Sequence, residues 1–469
     1  MTEGADNTGR IADCKRTLNL PLAMLAGCAL LLASLLLLRW WGGIAGRGMM
    51  WDEGQMYPIV ENISQSDWSW DSLVNYQDTK GPAFFWLYAA FEPLLGGGLS
   101  SLRWLSILLT TLCALPLALL CRHAGMRLGD SLLITAFFLV LPYNLVLSEL
   151  FMSEPSFLLG ALLLATSVTW ALDHPSDRVR HVIGPVLYAV LLAVLLHHRA
   201  HAVAMAGAVC LLALFRSFRE ARPWWIATVI AGLLRVPLFL LWGGLVGAKY
   251  QARYGLGFRL DSLVYLAIAA LPCTLIFTFP MIQRLWIAPE PGPGTRNIRS
   301  VLVWAAIVGA TAGAFALPDL PLYFGAAAAG GDGNFQGPLA TALRPIQDWS
   351  GPLYLVTTCL LAAVGFVSIA AMMVAAFDHG PTATPCIGRL RTNGNLLVRF
   401  AAVTLGAGWL LSALSKGDIF DRYLLAYLAL MPFVWVMRLS RRFCALQFCT
   451  LLVLALLLAR EWYWVRPLP

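Results

Sequence analysis

Charge is scarce in this sequence. Only 12% of its 469 residues are charged, 59% are hydrophobic, and the mean hydropathy is +0.72. A soluble domain carries about 25% charged and about 45–50% apolar residues. The composition therefore excludes an ordinary soluble globular protein and predicts an integral membrane protein. No internal repeat is visible, and no segment has the size and polarity of a separate soluble domain.

Cysteine offers neither a disulfide framework nor a metal site. The ten cysteines fall in predicted spans or in predicted cytoplasmic connections, and none has C-x-x-C or another metal-ligand spacing. Outer loops without cysteine exclude a disulfide-stapled exterior. We therefore assign no metal-ligating residue and no certain cofactor; a divalent metal is possible, but no residue pattern indicates one.

Long apolar runs are abundant. A helix needs about 20 apolar residues to cross a bilayer core of about 30 Å. The first run, Leu20–Leu38, follows Lys15 and Arg16 but is too long for the core of a cleaved signal, so we expect it to remain as a span. The expected fold is an all-α polytopic membrane protein with about 13 transmembrane helices in one domain, 1–469. The predicted spans are 20–38, 102–120, 131–147, 156–172, 182–196, 202–215, 224–242, 262–281, 301–317, 352–376, 396–414, 423–437 and 443–459.

The distribution of basic residues predicts the orientation of these spans. With the N-terminus in the cytoplasm, 19 of the 33 lysines and arginines lie in cytoplasmic connections, and Arg235 lies within a span. This is the positive-inside bias of a membrane protein. The net charge of +8 therefore needs no nucleic-acid partner. An odd number of spans places the C-terminus on the extracytoplasmic side.

Three outer segments are long: the two longest are 39–101 and 318–351, and the third is 243–261. In the first, Met56, Ile59, Val60 and Ile63 follow the i, i+3, i+4, i+7 pattern, which predicts a short interfacial helix. The apolar run that starts at Pro82 would extend about 21 Å as a helix, too short to cross, so we predict an interfacial or re-entrant helix. The second segment has the glycine-rich composition of a flexible loop.

Polar residues suited to chemistry gather at the predicted outer ends of the spans. Carboxylates there are candidates for proton transfer, and cations are candidates for holding an anion. Each also has an ordinary structural alternative that the residues alone leave open. Helix capping would account for Asp52, Glu53 and Glu154, interfacial snorkelling for Lys80, and a solvated turn for the "HHRAH" at 197–201.

The order of these segments resembles the GT-C glycosyltransferases that use polyprenyl-phosphate sugars. The nearest relatives by this resemblance are the protein O-mannosyltransferases and the lipid A aminoarabinose transferase. "WDEGQMY" and "DTKGPAFFWLYAAF" are similar to the first outer loop of that family, "SELFMSEP" to its second, and "SKGDIFDRYLLAY" to a late Lys…Arg-Tyr segment. The chain departs from the family in three places. Gly81 separates Lys80 from Pro82, glutamate stands where aspartate is commoner in the second loop, and "LLHHRAH" replaces a Thr-Lys-Gly turn.

The resemblance implies transfer of a sugar from a polyprenyl-phosphate donor to a lipid, glycan or protein acceptor, with inversion at the anomeric carbon. It places the reaction at the extracytoplasmic face of a bacterial inner membrane. Asp52 and Glu53 would be catalytic, with Asp52 as the base, and Glu154, or alternatively Glu149, would be the second acid. The donor phosphate would be held by Lys80, Lys416 and Arg422. Candidates for further substrate contacts are Tyr57, Glu149, His198, Arg199 and His201.

Three other functions remain open at this point. A secondary transporter would bind its substrate near the midplane between internal repeats, whereas here the charge lies at one face. A polysaccharide polymerase or ligase would also act on polyprenyl-linked substrates and could use the outer segment 318–351. A non-catalytic assembly subunit would retain the fold alone.

Overall fold

The structure is a computed structural model. It describes residues 18–44, 47–50, 52–66, 68–76, 78–172, 177–214, 217–244, 246–247, 257–286, 293–316, 352–377, 392–414 and 424–460. The predicted flexible loop 318–351 and the candidates Lys416 and Arg422 lie outside these residues.

Every regular element in the described ranges is helical. The first half of the chain contains α1 Leu20–Gly42, α2 Glu53–Gln65, α3 Trp70–Val74, α4 Pro82–Phe91, α5 Gly98–Leu112, α6 Ala114–His123, α7 Leu128–Leu139, α8 Asn144–Leu147, α9 Glu154–Leu172, α10 Arg178–His198, α11 Val203–Leu214 and α12 Phe218–Trp242. The second half contains α13 Leu260–Ala269, α14 Leu271–Thr274, α15 Thr278–Trp286, α16 Pro293–Ala316, α17 Pro352–Phe377, α18 Thr392–Ser412, α19 Leu425–Leu428, α20 Met431–Arg438 and α21 Arg441–Arg460. Short 3-10 turns occupy Pro93–Leu95, Ala200–Ala202 and Leu275–Phe277.

The first helix shows how such a sequence makes a membrane span. Asn19 caps α1 by accepting a hydrogen bond from the Leu22 amide at 3.3 Å, and Gly43 ends it in the left-handed region at φ 61°. One stripe is buried against the protein, and it includes Gly27, which lies against Ala114. The opposite face is exposed, with Leu25 at 70%. Because that face is apolar, lipid is its natural surroundings.

The all-α polytopic fold is confirmed, whereas the count of thirteen spans stays a prediction. Among the described residues, eight helices are long and apolar enough to cross a membrane, and a ninth is obtained if α13 and the helices that follow it form one span bent by 49°. The other four predicted spans coincide with shorter or interrupted helices, namely α7, α11, α18 and the pair α19–α20. Length and composition alone do not decide whether these four cross.

The first outer segment forms the helices that its pattern predicts. Met56, Val60 and Ile63 are fully buried along one side of α2, which packs against α4. Pro58 lies within α2 without ending it. Pro82 occupies the first turn of α4, where its missing amide hydrogen costs nothing. These helices bring the polar residues of the segment against the main bundle.

Candidate active site

A buried ion pair anchors the start of α2. Both Glu53 oxygens accept from the Arg103 guanidinium of α5, Oε1 from Nε at 2.9 Å and Oε2 from Nη2 at 2.6 Å. Glu53 also accepts from the backbone amides of Met50 and Phe151, each at 2.7 Å. Arg103 donates further to the carbonyls of Ile44, Arg47 and Gly48. The Glu53 carboxylate, 0% exposed, thus ties the first outer loop, α5 and the turn before α9 together.

Asp52, one residue earlier, lies at the N-cap position of α2 but makes no capping bond with its side chain. Its Oδ2 instead accepts from the Lys80 Nζ at 3.1 Å. Lys80 also lies 3.4 Å from Asp78 Oδ1, and all three side chains are at least nine-tenths buried. The structure therefore supports neither capping for Asp52 nor simple snorkelling for Lys80.

A second acid–cation pair involves Glu154 and Arg199. Glu154 is the first residue of α9, and its Oε1 accepts from Arg199 Nη2 at 2.8 Å. The same Arg199 nitrogen donates to the Ser153 hydroxyl. Both charged side chains are buried. Arg199 ends α10 in an extended conformation. His198 and Arg199 are buried and His197, Ala200 and His201 are half-buried, so "HHRAH" forms a largely buried corner and not a solvated turn.

One backbone contact joins the two segments that carry Lys80 and Arg199. The Gly81 amide donates to the His198 carbonyl at 2.9 Å. Lys80 precedes Gly81 in the chain and Arg199 follows His198, so each cation is next to one of the two bonded residues. A Cβ at position 81 would lie 1.9 Å from the His197 carbonyl oxygen and 3.1 Å from the Arg235 guanidinium. Glycine is therefore the residue that allows this approach. Two departures from the family pattern, the extra glycine and the "HHRAH" segment, contact each other directly.

The histidines of this corner lie among aromatic side chains. His198 Nε2 and the Ser156 hydroxyl are 2.7 Å apart, and the ring packs against Phe84 and Phe157. The His201 ring lies 6.2 Å from the Tyr427 ring of α19. The helix that follows the late Lys…Arg-Tyr segment thereby reaches the same corner as Arg199.

Glu149 differs from the other acids. It is fully buried in the turn between α8 and α9, and neither of its carboxylate oxygens has a hydrogen-bond partner among the described residues. Burial raises the pKa of Glu149 to about 8, although Arg39 and Arg103 nearby act in the opposite direction. A carboxyl with this pKa carries a proton at neutral pH.

Tyr57 lies apart from the paired charges. It is half-buried on α2, and burial, with Glu61 and Glu92 nearby, raises the pKa of its phenol. Its neighbours are thus acids of the loop surface. No hydrogen bond among the described residues connects Tyr57 to Lys80 or Arg199. No cluster of three metal-ligating side chains occurs in the described ranges.

Sequence reasoning predicted most residues of this arrangement and missed two, Asp78 and Arg103. The spacing of two between Asp78 and Lys80 is a signal that is visible in the sequence. Arg103 was assigned to a span with no partner for its charge, and a buried arginine near a helix end is itself a reason to seek an acid. Arg235 was expected to face protein, and it does lie against Gly81.

The arrangement has the components of a group transfer that releases an anion. Two carboxylates are each paired with a cation in buried surroundings, where electrostatic interactions are stronger than in water. A carboxylate there can accept a proton, and a lysine or arginine can stabilise a phosphate.

Comparison with known proteins finds little. No family profile and no curated protein sequence match the chain. Among solved structures, that of ArnT from Cupriavidus metallidurans bound to undecaprenyl phosphate aligns with 91% of this chain and 76% of that one. The identity is 15% and the TM-score 0.39. A likeness this distant carries no conclusion about the chemistry of this chain.

Proposed function

We propose that this protein is a membrane glycosyltransferase that moves a sugar from a polyprenyl-phosphate donor to an acceptor at the extracytoplasmic face of the membrane. The observation that carries the proposal is a set of two buried acid–cation pairs, Asp52 with Lys80 and Glu154 with Arg199, on segments that are joined by the bond between Gly81 and His198. Buried charges are costly, and charges placed in pairs at the ends of apolar helices suit a lipid-linked anionic substrate.

In this proposal Asp52 is the base. The acceptor hydroxyl loses its proton to the Asp52 carboxylate as its oxygen bonds to the anomeric carbon. The bond from that carbon to the phosphate oxygen breaks, and polyprenyl phosphate leaves with the electron pair. Inversion of the anomeric carbon is what the family resemblance implies.

Lys80 and Arg199 stabilise the phosphate as its charge grows. Lys80 Nζ donates to the Asp52 carboxylate. When Lys80 turns to the phosphate it frees that carboxylate to accept a proton, so phosphate binding and activation of the base are coupled. Lys416 and Arg422 remain further phosphate-binding candidates by resemblance, and Tyr57, His198 and His201 remain candidates for substrate contacts.

Of the two candidates for the second acid, we favour Glu154. Its partner Arg199 follows His198, whose carbonyl accepts from the amide of Gly81, the residue after Lys80, whereas Glu149 lies near Arg39 and Arg103. Glu53 has a positioning role, since four donors already occupy its carboxylate.

The remaining features of the proposal follow from the charge bias and the resemblance. The protein would reside in the bacterial inner membrane with a cytoplasmic N-terminus and an extracytoplasmic C-terminus. Its partners would be the bilayer, the polyprenyl-phosphate sugar, and a lipid, glycan or protein acceptor.

The test is sugar transfer by the purified protein in lipid, with a panel of radiolabelled polyprenyl-phosphate monosaccharides and an envelope extract as acceptor. Asp52→Asn should reduce transfer about 10²–10⁴-fold, the usual contribution of a general base. Asp71→Asn, which changes an exposed acid of the same loop, is the matched control. Because Asp52 also contacts Lys80, binding of polyprenyl phosphate is measured in parallel, to separate a lost base from a lost phosphate site.

Two outcomes would count against the proposal. Normal transfer by Asp52→Asn would overturn the assignment of Asp52 as the base, while the transfer itself would stand. Uptake of a free substrate into proteoliposomes without any transfer would identify a transporter.

A further inference from the structure

We propose that Asp78 is a positioning residue for Lys80, a role that rests on the proposed glycosyl transfer. Its Oδ1 accepts from the Lys80 backbone amide at 2.9 Å and lies 3.4 Å from the Lys80 Nζ. One oxygen thus holds both ends of the same lysine. Asp78 is 2% exposed, so this contact is shielded from water.

The surroundings of Asp78 favour a holding role over a proton-accepting one. Its Oδ1 also accepts from the Thr79 hydroxyl at 3.4 Å, which brings three donors to a single oxygen. The Asp78 carbonyl accepts from the Gly247 amide at 3.4 Å, beyond the end of α12. The residue is therefore fixed from both its side chain and its backbone.

Such a holder serves Lys80 because Asp52, one of its partners, changes charge during the reaction. A lysine ammonium is a point charge on a flexible four-carbon stem. When Asp52 takes the acceptor proton, it becomes neutral and its attraction for Lys80 falls. Asp78 takes no part in that proton transfer and holds the ammonium where the departing phosphate needs it.

The decisive experiment is a double-mutant cycle on full-length protein in lipid, with polyprenyl phosphate as the binding probe and sugar transfer as the second readout. The variants are Asp78→Asn, Lys80→Met and the pair, with Asp71→Asn as the control. Asp78→Asn alone should weaken polyprenyl-phosphate binding by about 10-fold or more, the usual effect of losing a charge-assisted contact. In the Lys80→Met background the same change should alter affinity less than about 2-fold, because Asp78 acts through Lys80.

Asp78→Glu restores the negative charge and should bind polyprenyl phosphate more tightly than Asp78→Asn. Equal effects of Asp78→Asn in both backgrounds would overturn the proposal, as would unchanged affinity with only a lower thermal midpoint. Tighter binding by Asp78→Asn would also overturn it, since that result would mean that the Asp78 carboxylate mainly repels the phosphate.

The outcomes separate this inference from the proposed function. If the wild type transfers sugar and Asp78→Asn behaves normally, only the positioning role fails. If the wild type binds polyprenyl phosphate but transfers nothing, the proposed function fails, and the coupling of Asp78 to Lys80 is still decided by binding.

Discussion

Gly81 provides a sharp test of how the two acid–cation pairs are brought together. Its φ of −82° and ψ of 166° are accessible to any residue, so the requirement for glycine is steric and not conformational. In Gly81→Ala the new methyl group would lie 1.9 Å from the oxygen and 2.6 Å from the carbon of the His197 carbonyl. These are backbone atoms at the end of α10, which cannot rotate away. The Lys80 turn and the Arg199 corner must therefore separate.

The cost can be worked from the contacts. Overpacking a close contact costs about 1–3 kcal/mol, and losing the bond from the Gly81 amide to the His198 carbonyl adds about 1 kcal/mol. We expect Gly81→Ala to lower the free energy of unfolding by about 2–4 kcal/mol. Transfer activity should fall more than stability explains, because Lys80 and Arg199 no longer share one anion.

The assay compares thermal unfolding and transfer rate per folded protein for Gly81→Ala and Gly54→Ala. Gly54 is an exposed residue of α2 with no atom within 4 Å of its added Cβ, so alanine there should be neutral or slightly stabilising. If Gly81→Ala keeps wild-type stability and turnover, the close approach between Gly81 and His197 does not exist in the working protein.

Two further substitutions test the buried acids. Glu53→Gln should lower the free energy of unfolding by about 3–5 kcal/mol, because it leaves the Arg103 charge buried beside a neutral partner; thermal unfolding beside Asp71→Asn measures this, and an unchanged midpoint would contradict the anchoring role. Glu149 has a folded pKa of about 8 against an ordinary value of 4.5, so the folded state holds the extra proton between these values and stability falls as pH rises through that window. The slope of the free energy of unfolding against pH approaches about 1.4 kcal/mol per pH unit. Glu149→Gln should remove this slope and be more stable than the wild type at pH 8. If the variant keeps the pH dependence of the wild type, Glu149 is not buried as a neutral acid.

Helix positions were predictable from the sequence because the signal is local. Apolar runs gave the helical segments, and the spacing of Met56, Val60 and Ile63 gave α2 with its buried side. Whether the short helices α7 and α11 cross the bilayer was not predictable, because twelve residues are too few to span about 30 Å unaided.

The identities of the charged candidates were also readable, but their partners were not. Asp52 and Lys80 are 28 positions apart, Glu53 and Arg103 are 50, and Glu154 and Arg199 are 45. No local pattern encodes contacts at such separations. The sequence alone is compatible with helix capping by Asp52. Only the structure excludes capping, because the Asp52 side chain makes no hydrogen bond to the start of α2.

By itself the sequence determined that this is a helical membrane protein whose charges lie near the ends of its apolar segments, because hydropathy and periodicity are properties of neighbouring residues. Tertiary structure alone decided which charges meet. It separated Glu53, held by Arg103, from Asp52, held by Lys80, although the two acids are adjacent in the chain. It also decided that position 81 requires glycine. The space beside Gly81 is limited by the end of α10 at His197, more than a hundred positions away in the chain.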